Sequence, residues 1–244
     1  MFVLFSPSES KRSGGVGAFK DSSNTLIAND ETRLVLDHAY EKALTGSFEE
    51  KQSLTGWKDE SKINVLPKIL SEAPVMPALR RYNGVGYQYL DIDSLVPAQY
   101  DYLAKHVLIF SNLFGPLRGG DLIPETKLKQ RAKFVGVNIA HHYREHTTKA
   151  LDELIGDELV LDLRAEIYKK FYTPKGPVIE CVFLKDGKRM NHWSKAYRGL
   201  VLRAVAKERP ANIEDFLQMD VDGLKLIERK GTDHRTVVTY DTVS

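Results

Sequence analysis

Lys195, Arg198 and Arg203 lie three and five residues apart in Ser194-Lys195-Ala196-Tyr197-Arg198-Gly199-Leu200-Val201-Leu202-Arg203. On a helix opened by Ser194, positions 195, 198 and 202 form one stripe with 199 and 203 beside it. Lys195, Arg198 and Arg203 then converge on one side while Leu200, Val201 and Val205 turn toward a core. Converging cations next to His192 suit successive phosphates of a polyanion, or one phosphate-bearing ligand; a solvated basic face is the plain alternative. The cluster sits in a wider basic run. From Arg164 to Lys207 there are eleven Lys/Arg, Lys169 and Lys170 among them, against Glu166, Glu180 and Asp186, a local net of +8 in a chain of net +2.

Other stretches carry chemistry of their own. Ser6-Pro7-Ser8-Glu9-Ser10-Lys11-Arg12 follows an apolar strand, and open α/β sheets place ligands just outside the carboxyl ends of strands, so Ser6 and Lys11 are candidates for a phosphate or nucleotide. The segment fits neither the Walker pattern nor the dinucleotide glycine fingerprint. Gly84-Val85-Gly86, between two helical segments, has the Gly-x-Gly core of a DNA-binding helix-hairpin-helix, in which glycines let backbone N–H groups approach a phosphate; a plain helix-ending turn fits it equally. Phe110 to Asp121 crowds Gly115, Pro116, Gly119 and Gly120 into six residues after a strand, which points to a site or a sharp reversal. Arg118 there could grip a phosphate bidentately, or brace the loop through Asp121. His142 and His146 stand one helical turn apart, the spacing of two metal ligands, but lack the Glu beside the first histidine that a metalloprotease needs, and the acids are dispersed. No metal or cofactor is expected. Cys181 sits in an apolar run and reads as a packed thiol. No nucleophile stands beside a base, so no catalytic residue is assigned; Tyr87 and His192 are the acid–base candidates should the chain be an enzyme.

These residues need a scaffold. Phe2-Val3-Leu4-Phe5 and Val107 to Phe110 read as short buried strands, and Leu159 to Leu163 and Val178 to Leu184 as two more. Leu224 to Ile227 and Thr236 to Tyr240 form a late pair. Asn29 or Asp30 caps a helix carrying Leu34, Leu36, Ala39, Ala43 and Leu44, a polar helical hairpin follows, Asn138 to Ile155 is a helix ended by Gly156, and Ser194 to Lys207 is another. Strands alternating with helices predict an α/β fold: a mixed β-sheet flanked by helices, with an antiparallel C-terminal pair. With 244 residues and 42% hydrophobic content, one domain over 1–244 is expected, with a mostly helical part, about 28–105, as a potential sub-domain. The apolar run at the start is too short for a signal segment or a membrane span, so a cytoplasmic protein without a membrane partner is expected.

Five motifs in order carry a resemblance: strand-Ser6-Pro7; Tyr82-x-Gly84-x-x-Tyr87; Ser111-x-Leu113-x-Gly115-x-Leu117-Arg118-x-x-Asp121; Asp162-Leu163-Arg164 with Tyr168; and Lys195-x-x-Arg198-Gly199-x-x-x-Arg203. Over essentially its whole length the chain resembles the YaaA family of bacterial peroxide-stress proteins. The resemblance implies a cytoplasmic α/β protein with a positively charged cleft and a helix-hairpin-helix-like element. It also implies DNA binding and the lowering of free iron during hydrogen peroxide stress, which limits oxidative damage. Ser6, Pro7, Arg118, Lys195, Arg198 and Arg203 fall on recurrent family positions. The chain departs from the pattern at Glu9, where a lysine is frequent, and at Thr126 and Lys127, where tyrosine and arginine are frequent. The expected partner is double-stranded or branched DNA, held by phosphates rather than read by bases. The alternative is an enzyme acting on a nucleotide or nucleobase in the same cleft.

Overall fold

In the computed structural model, which describes residues 1–19, 27–130, 136–189 and 194–243, the strand signals assemble into a sheet. Its strands are β1 (Phe2–Phe5), β3 (Val107–Ser111), β4 (Gly115–Arg118), β6 (Val160–Asp162), β7 (Val178–Lys185), β9 (Leu224–Thr232) and β10 (Arg235–Thr242), in the order β4-β3-β1-β6-β7-β10-β9. A short β8 (Lys188–Arg189) folds back on β7. The segments β3, β1, β6, β7 and β10 run parallel, while β4 and β9 are antiparallel edges. Every residue of β1, β3 and β6 is buried, as continuous apolar strands covered on both faces must be. The expected antiparallel C-terminal pair is present, with Val238 opposite Arg229.

Parallel neighbours need crossovers, and helices supply them. Between β1 and β3 lie α1 (Asp30–Thr45), α2 (Phe48–Thr55), α3 (Glu60–Asn64), α4 (Ala78–Arg81), α5 (Val85–Leu90) and α6 (Pro97–His106). Helix α1 is capped by Asn29, whose side chain accepts from Thr32 N at 2.9 Å. Its Leu36, Tyr40 and Leu44, four residues apart, are fully buried, giving the apolar stripe that docks it. Helix α2 opens with a capping box of Ser47 and Glu50, two orphan donors satisfied reciprocally. Helix α7 (Ile139–Ile155), capped by Asn138, leads to β6, and buries Tyr143, Thr147, Leu151 and Ile155 at the same four-residue spacing. Then come α8 (Glu166–Lys169), the long α9 (Ser194–Glu208) and α10 (Ile213–Gln218).

Residues 110–121 form the sharp reversal that their composition allowed. Gly115, at φ +70, turns β3 straight back into β4, and Ser111 Oγ accepts from Leu113 N and Phe114 N to close that turn. The register sets Leu108 opposite Arg118. A second ribbon, β2 (Val75–Pro77) with β5 (Leu122–Pro124), continues the reversal.

Candidate functional site

Strand β1 has β3 on one side and β6 on the other. The carboxyl ends of β1 and β6 therefore open a crevice of the kind where open parallel sheets take ligands. Ser6 follows β1 and Ala165 follows β6, and the two loops are joined directly, Ala165 N donating to Ser6 Oγ at 2.8 Å. The Ser6 carbonyl accepts from the Tyr87 hydroxyl at 2.9 Å. The cleft there measures about 570 Å³ and is lined by Ser6, Ser8, Gly84 to Tyr87, Tyr168, Lys195 and Arg198, among others. Its volume falls within the range of small-molecule sites.

Helix α9 brings Lys195 and Arg198 to this cleft from above α5. A side chain on Gly199 would lie 2.2 Å from the Gly86 carbonyl oxygen, and one on Gly86 would meet the Lys195 carbonyl at 3.1 Å and the Phe5 ring. The two helices touch backbone to backbone because both positions are glycine. The absence of a side chain at Gly86 is thus explained by helix packing, and Gly84 is crowded by Ser8 Oγ; both glycines also line the cleft. Arg203, one further turn along α9, ties the same helices, donating to the carbonyls of Leu90 and Asp91 at 2.9 and 3.1 Å and to Ser94 Oγ at 2.7 Å. It works as a brace and does not reach the cleft.

Arg198 is half-buried and has no hydrogen bond or ion pair among the described residues. Desolvation depresses its pKa, with Cys181, Asp162 and Glu166 opposing at longer range. A desolvated guanidinium without a counter-charge is expensive unless an anion joins it. Lys195 beside it is exposed. Glu9, the acid on the cleft wall, is already engaged. Burial opposes its ionisation, but the Lys127 ammonium at 2.6 Å and the Gln130 N–H at 2.8 Å win and lower its pKa. Two positions where the chain departs from the family pattern, Glu9 and Lys127, therefore compensate one another.

The other nominated cations scatter. Arg118 ends β4 beside Leu108, near the amino end of β3, so the register carries it away from Ser6; its main-chain N–H donates to Asp121 Oδ2 at 2.8 Å. This corrects the bidentate phosphate role drawn from the loop. Lys169 is tied to Glu166 and Glu180, both at 3.0 Å, and Lys170 is exposed. Lys11 points over the Tyr82 ring, in a hollow next to the cleft. His192 lies outside the described residues. Tyr87, on the cleft wall, donates its hydroxyl to the Ser6 carbonyl, and burial raises its pKa well above the usual value. His142 Nε2 meets the Thr32 carbonyl of α1 at 2.8 Å, and exposed His146 turns its Nδ1 to the His142 carbonyl of its own helix at 2.7 Å. Among the described residues no group of three His, Cys, Asp or Glu is placed to hold a metal, and burial pushes the Cys181 thiol up in pKa, away from reactivity.

Two groups that position the site were not singled out for that purpose from sequence. Asp162 and Arg164, two residues apart after β6, form a buried two-point pair at 2.9 and 2.7 Å, and Arg164 Nη1 also donates to the Tyr168 carbonyl at 3.3 Å. The pair fixes the turn that presents Ala165 and Tyr168. Arg81, fully buried, donates to the carbonyls of Arg12, Gly14, Pro74 and Ile123 at 2.7 to 3.1 Å, anchoring the loop after β1. The i, i+2 spacing of Asp162 and Arg164 was the one readable hint; nothing distinguishes Arg81 from Arg80.

A mainly parallel sheet flanked by helices, with two cations and a serine at its switch point, defines an α/β protein with its crevice in the usual ligand position for that architecture. The chain belongs to the family described as peroxide stress protein YaaA, whose model matches residues 1–230. It is 40% identical over 230 residues to an uncharacterized protein of Campylobacter jejuni, covering 93% of this chain and 94% of that one. It is 31% identical to a UPF0246 protein of Streptomyces coelicolor, covering 89% of each chain. To a UPF0246 protein of Corynebacterium efficiens it is 34% identical, over 84% and 85% of the two chains. Membership supports a role in peroxide stress. No helix among the described residues is long and apolar enough to cross a membrane.

Proposed function

We propose that this chain acts in the peroxide-stress response by binding DNA, double-stranded or branched, through phosphates that meet Lys195 and Arg198 at the cleft, and so limits oxidative damage. The lowering of free iron enters this reading from the family resemblance and is assigned no residue. The observation that carries the DNA reading is the unpartnered, half-buried Arg198 beside exposed Lys195, at the end of the sheet where further cations gather. Strand β7 runs past the pairing of Glu180 with Asp162 and turns at Lys185 into β8. Lys188 and Arg189 therefore overhang the same end as Ser6. Such an arrangement neutralises phosphates without reading bases and predicts steep salt dependence with little sequence preference.

The volume of the cleft favours a second reading, an enzyme that takes a nucleotide or nucleobase. Here Ser6 keeps its own proton to donate, since its Oγ accepts from Ala165 N, and Arg198 holds a phosphate. The test is binding of labelled duplex and branched DNA over a salt series, by wild type and Lys195→Ala/Arg198→Ala, with excess mononucleotide as competitor. A log–log slope that shrinks by about 0.9 for every phosphate the variant leaves unneutralised supports the DNA reading. Complete displacement of DNA by a mononucleotide supports the second.

A further inference from the structure

Beside the cleft lies a smaller hollow of about 20 Å³, sharing Pro7, Ser8, Glu9 and Tyr168 with it and lined further by Lys11, Tyr82, Ser111 and Asn112. That is room for one water-sized group. Lys11 is fixed there from both ends. Its backbone forms a bridge with Tyr82, and its Nζ stands 5.2 Å from the centre of the Tyr82 ring. A lysine withdrawn from water ordinarily ends on a carboxylate or a carbonyl, as buried Lys127 does on Glu9 at 2.6 Å. Lys11 Nζ has no hydrogen bond or ion pair among the described residues; it lies over the Tyr82 ring, and Ser8, Glu9, Ser111 and Tyr168 line the same hollow.

We propose that Lys11 is a reactive amine that condenses with the carbonyl carbon of a small phosphate-bearing aldehyde or ketone seated in the cleft, with Lys195 and Arg198 on its phosphate. The inference deepens the small-ligand reading of the cleft and rests on it. The Lys11 nitrogen attacks the carbonyl carbon, a C–N bond forms, and the carbonyl oxygen leaves as water carrying both amine hydrogens. The product is an imine, with no change of oxidation state. The hollow offers space for the departing oxygen, and the hydroxyl-bearing residues that line it, Ser8, Ser111, Tyr82 and Tyr168, can relay the amine hydrogens to it.

The electrostatics agree with this chemistry. Burial above all, with the charges of Lys127 and Arg81 adding and those of Glu125 and Glu9 opposing, lowers the Lys11 pKa to about 7. Roughly half the amine is then neutral at pH 7, against fewer than one in a thousand for an ordinary surface lysine. Tyr82 and Tyr168 keep their protons, burial raising both.

The experiment incubates the full chain with glycolaldehyde phosphate or with uncharged glycolaldehyde, traps imines with cyanoborohydride, and maps modified lysines by mass spectrometry. Lys11 is expected to be the dominant site at pH 7, labelled at least tenfold faster by the phosphorylated probe. Arg198→Ala should abolish that preference, and Lys11→Arg should abolish the label while keeping the charge. Labelling of Lys11 no faster than that of exposed Lys149 with either probe overturns the proposal. Fast labelling by both probes alike overturns its phosphate half, and with it the small-ligand reading of the cleft, without touching the amine.

Discussion

Arg164 and Arg198 present the same guanidinium in opposite settings, and their removal should have opposite consequences. Arg164 is clamped to buried Asp162 and lies over the Phe110 ring at 4.5 Å, so Arg164→Ala leaves a carboxylate buried and uncompensated. Loss of about 3–5 kcal/mol is expected in urea unfolding. Arg198 has no such partner, so Arg198→Ala should leave the urea midpoint unchanged or raise it. It should weaken DNA or phosphate binding by roughly ten- to a hundredfold, the worth of a charged hydrogen bond of about 1.5–3 kcal/mol. Arg118→Ala, at the far end of β4, should leave that affinity within a factor of two, measured in the same titration.

Among the elements, the crossing of α5 and α9 sets the width of the cleft. Gly199→Ala puts a methyl group 2.2 Å from the Gly86 carbonyl, and backbone cannot swing aside as a side chain can. Destabilisation of about 1–3 kcal/mol is expected, with weaker phosphate binding because Lys195 and Arg198 ride on the displaced helix. The turn after β4 makes a pH prediction. Asp121 is buried while accepting from Arg118 N, and desolvation raises its pKa to about 6 against the opposing hydrogen bond and Arg118 charge. The folded chain then holds this proton more tightly than the unfolded one. The resulting stabilisation is present below about pH 4 and is lost as pH rises through about 6, on the order of 3 kcal/mol. Asp121→Asn keeps the acceptor and removes the titration, so its stability relative to wild type should rise between pH 4.5 and 7.5 in paired urea melts.

These same elements show what the sequence could and could not disclose. The buried strands β1, β3 and β6 and the capped helices α1 and α7 were legible because each announces itself locally, in an apolar run or in an Asn before a four-residue stripe. Lys195 and Arg198 were legible for the same reason, being one helical turn apart. Arg118 and Arg203 were misread because their meaning depends on register and on a second helix, neither of which is local. The glycines at 84 and 86 resembled a phosphate turn, but the partner that explains Gly86 is Gly199, more than a hundred residues away.

For the molecule as a whole, the basic run between 164 and 207 divides in two. Arg164, Lys169, Lys175 and Arg203 are consumed by Asp162, by Glu166 and Glu180, by Asp152 and by Asp91. Among the described residues Lys170, Lys188, Arg189, Lys195, Arg198 and Lys207 have no acid within salt-bridge reach. Lys188→Ala/Arg189→Ala should therefore reduce the salt slope of DNA binding by about 0.9 for each phosphate that these two side chains neutralise, whereas Lys175→Ala should not change it; fluorescence anisotropy over a salt series reads both.

The position of β1 also has a bearing on synthesis. Phe2 to Phe5 sit between β3 and β6, pairing with Val107 to Ile109 on one side and Val160 to Asp162 on the other. At roughly 5–20 residues per second, the ribosome delivers the second of these neighbours about ten to thirty seconds after the strand itself. Four consecutive apolar residues lack both strand partners until β3 is made, and one of their two edges stays open until β6 follows. The cleft loop that begins at Ser6 is tied to Ala165, beyond β6, so the site takes shape only after a segment 159 residues further along has been made.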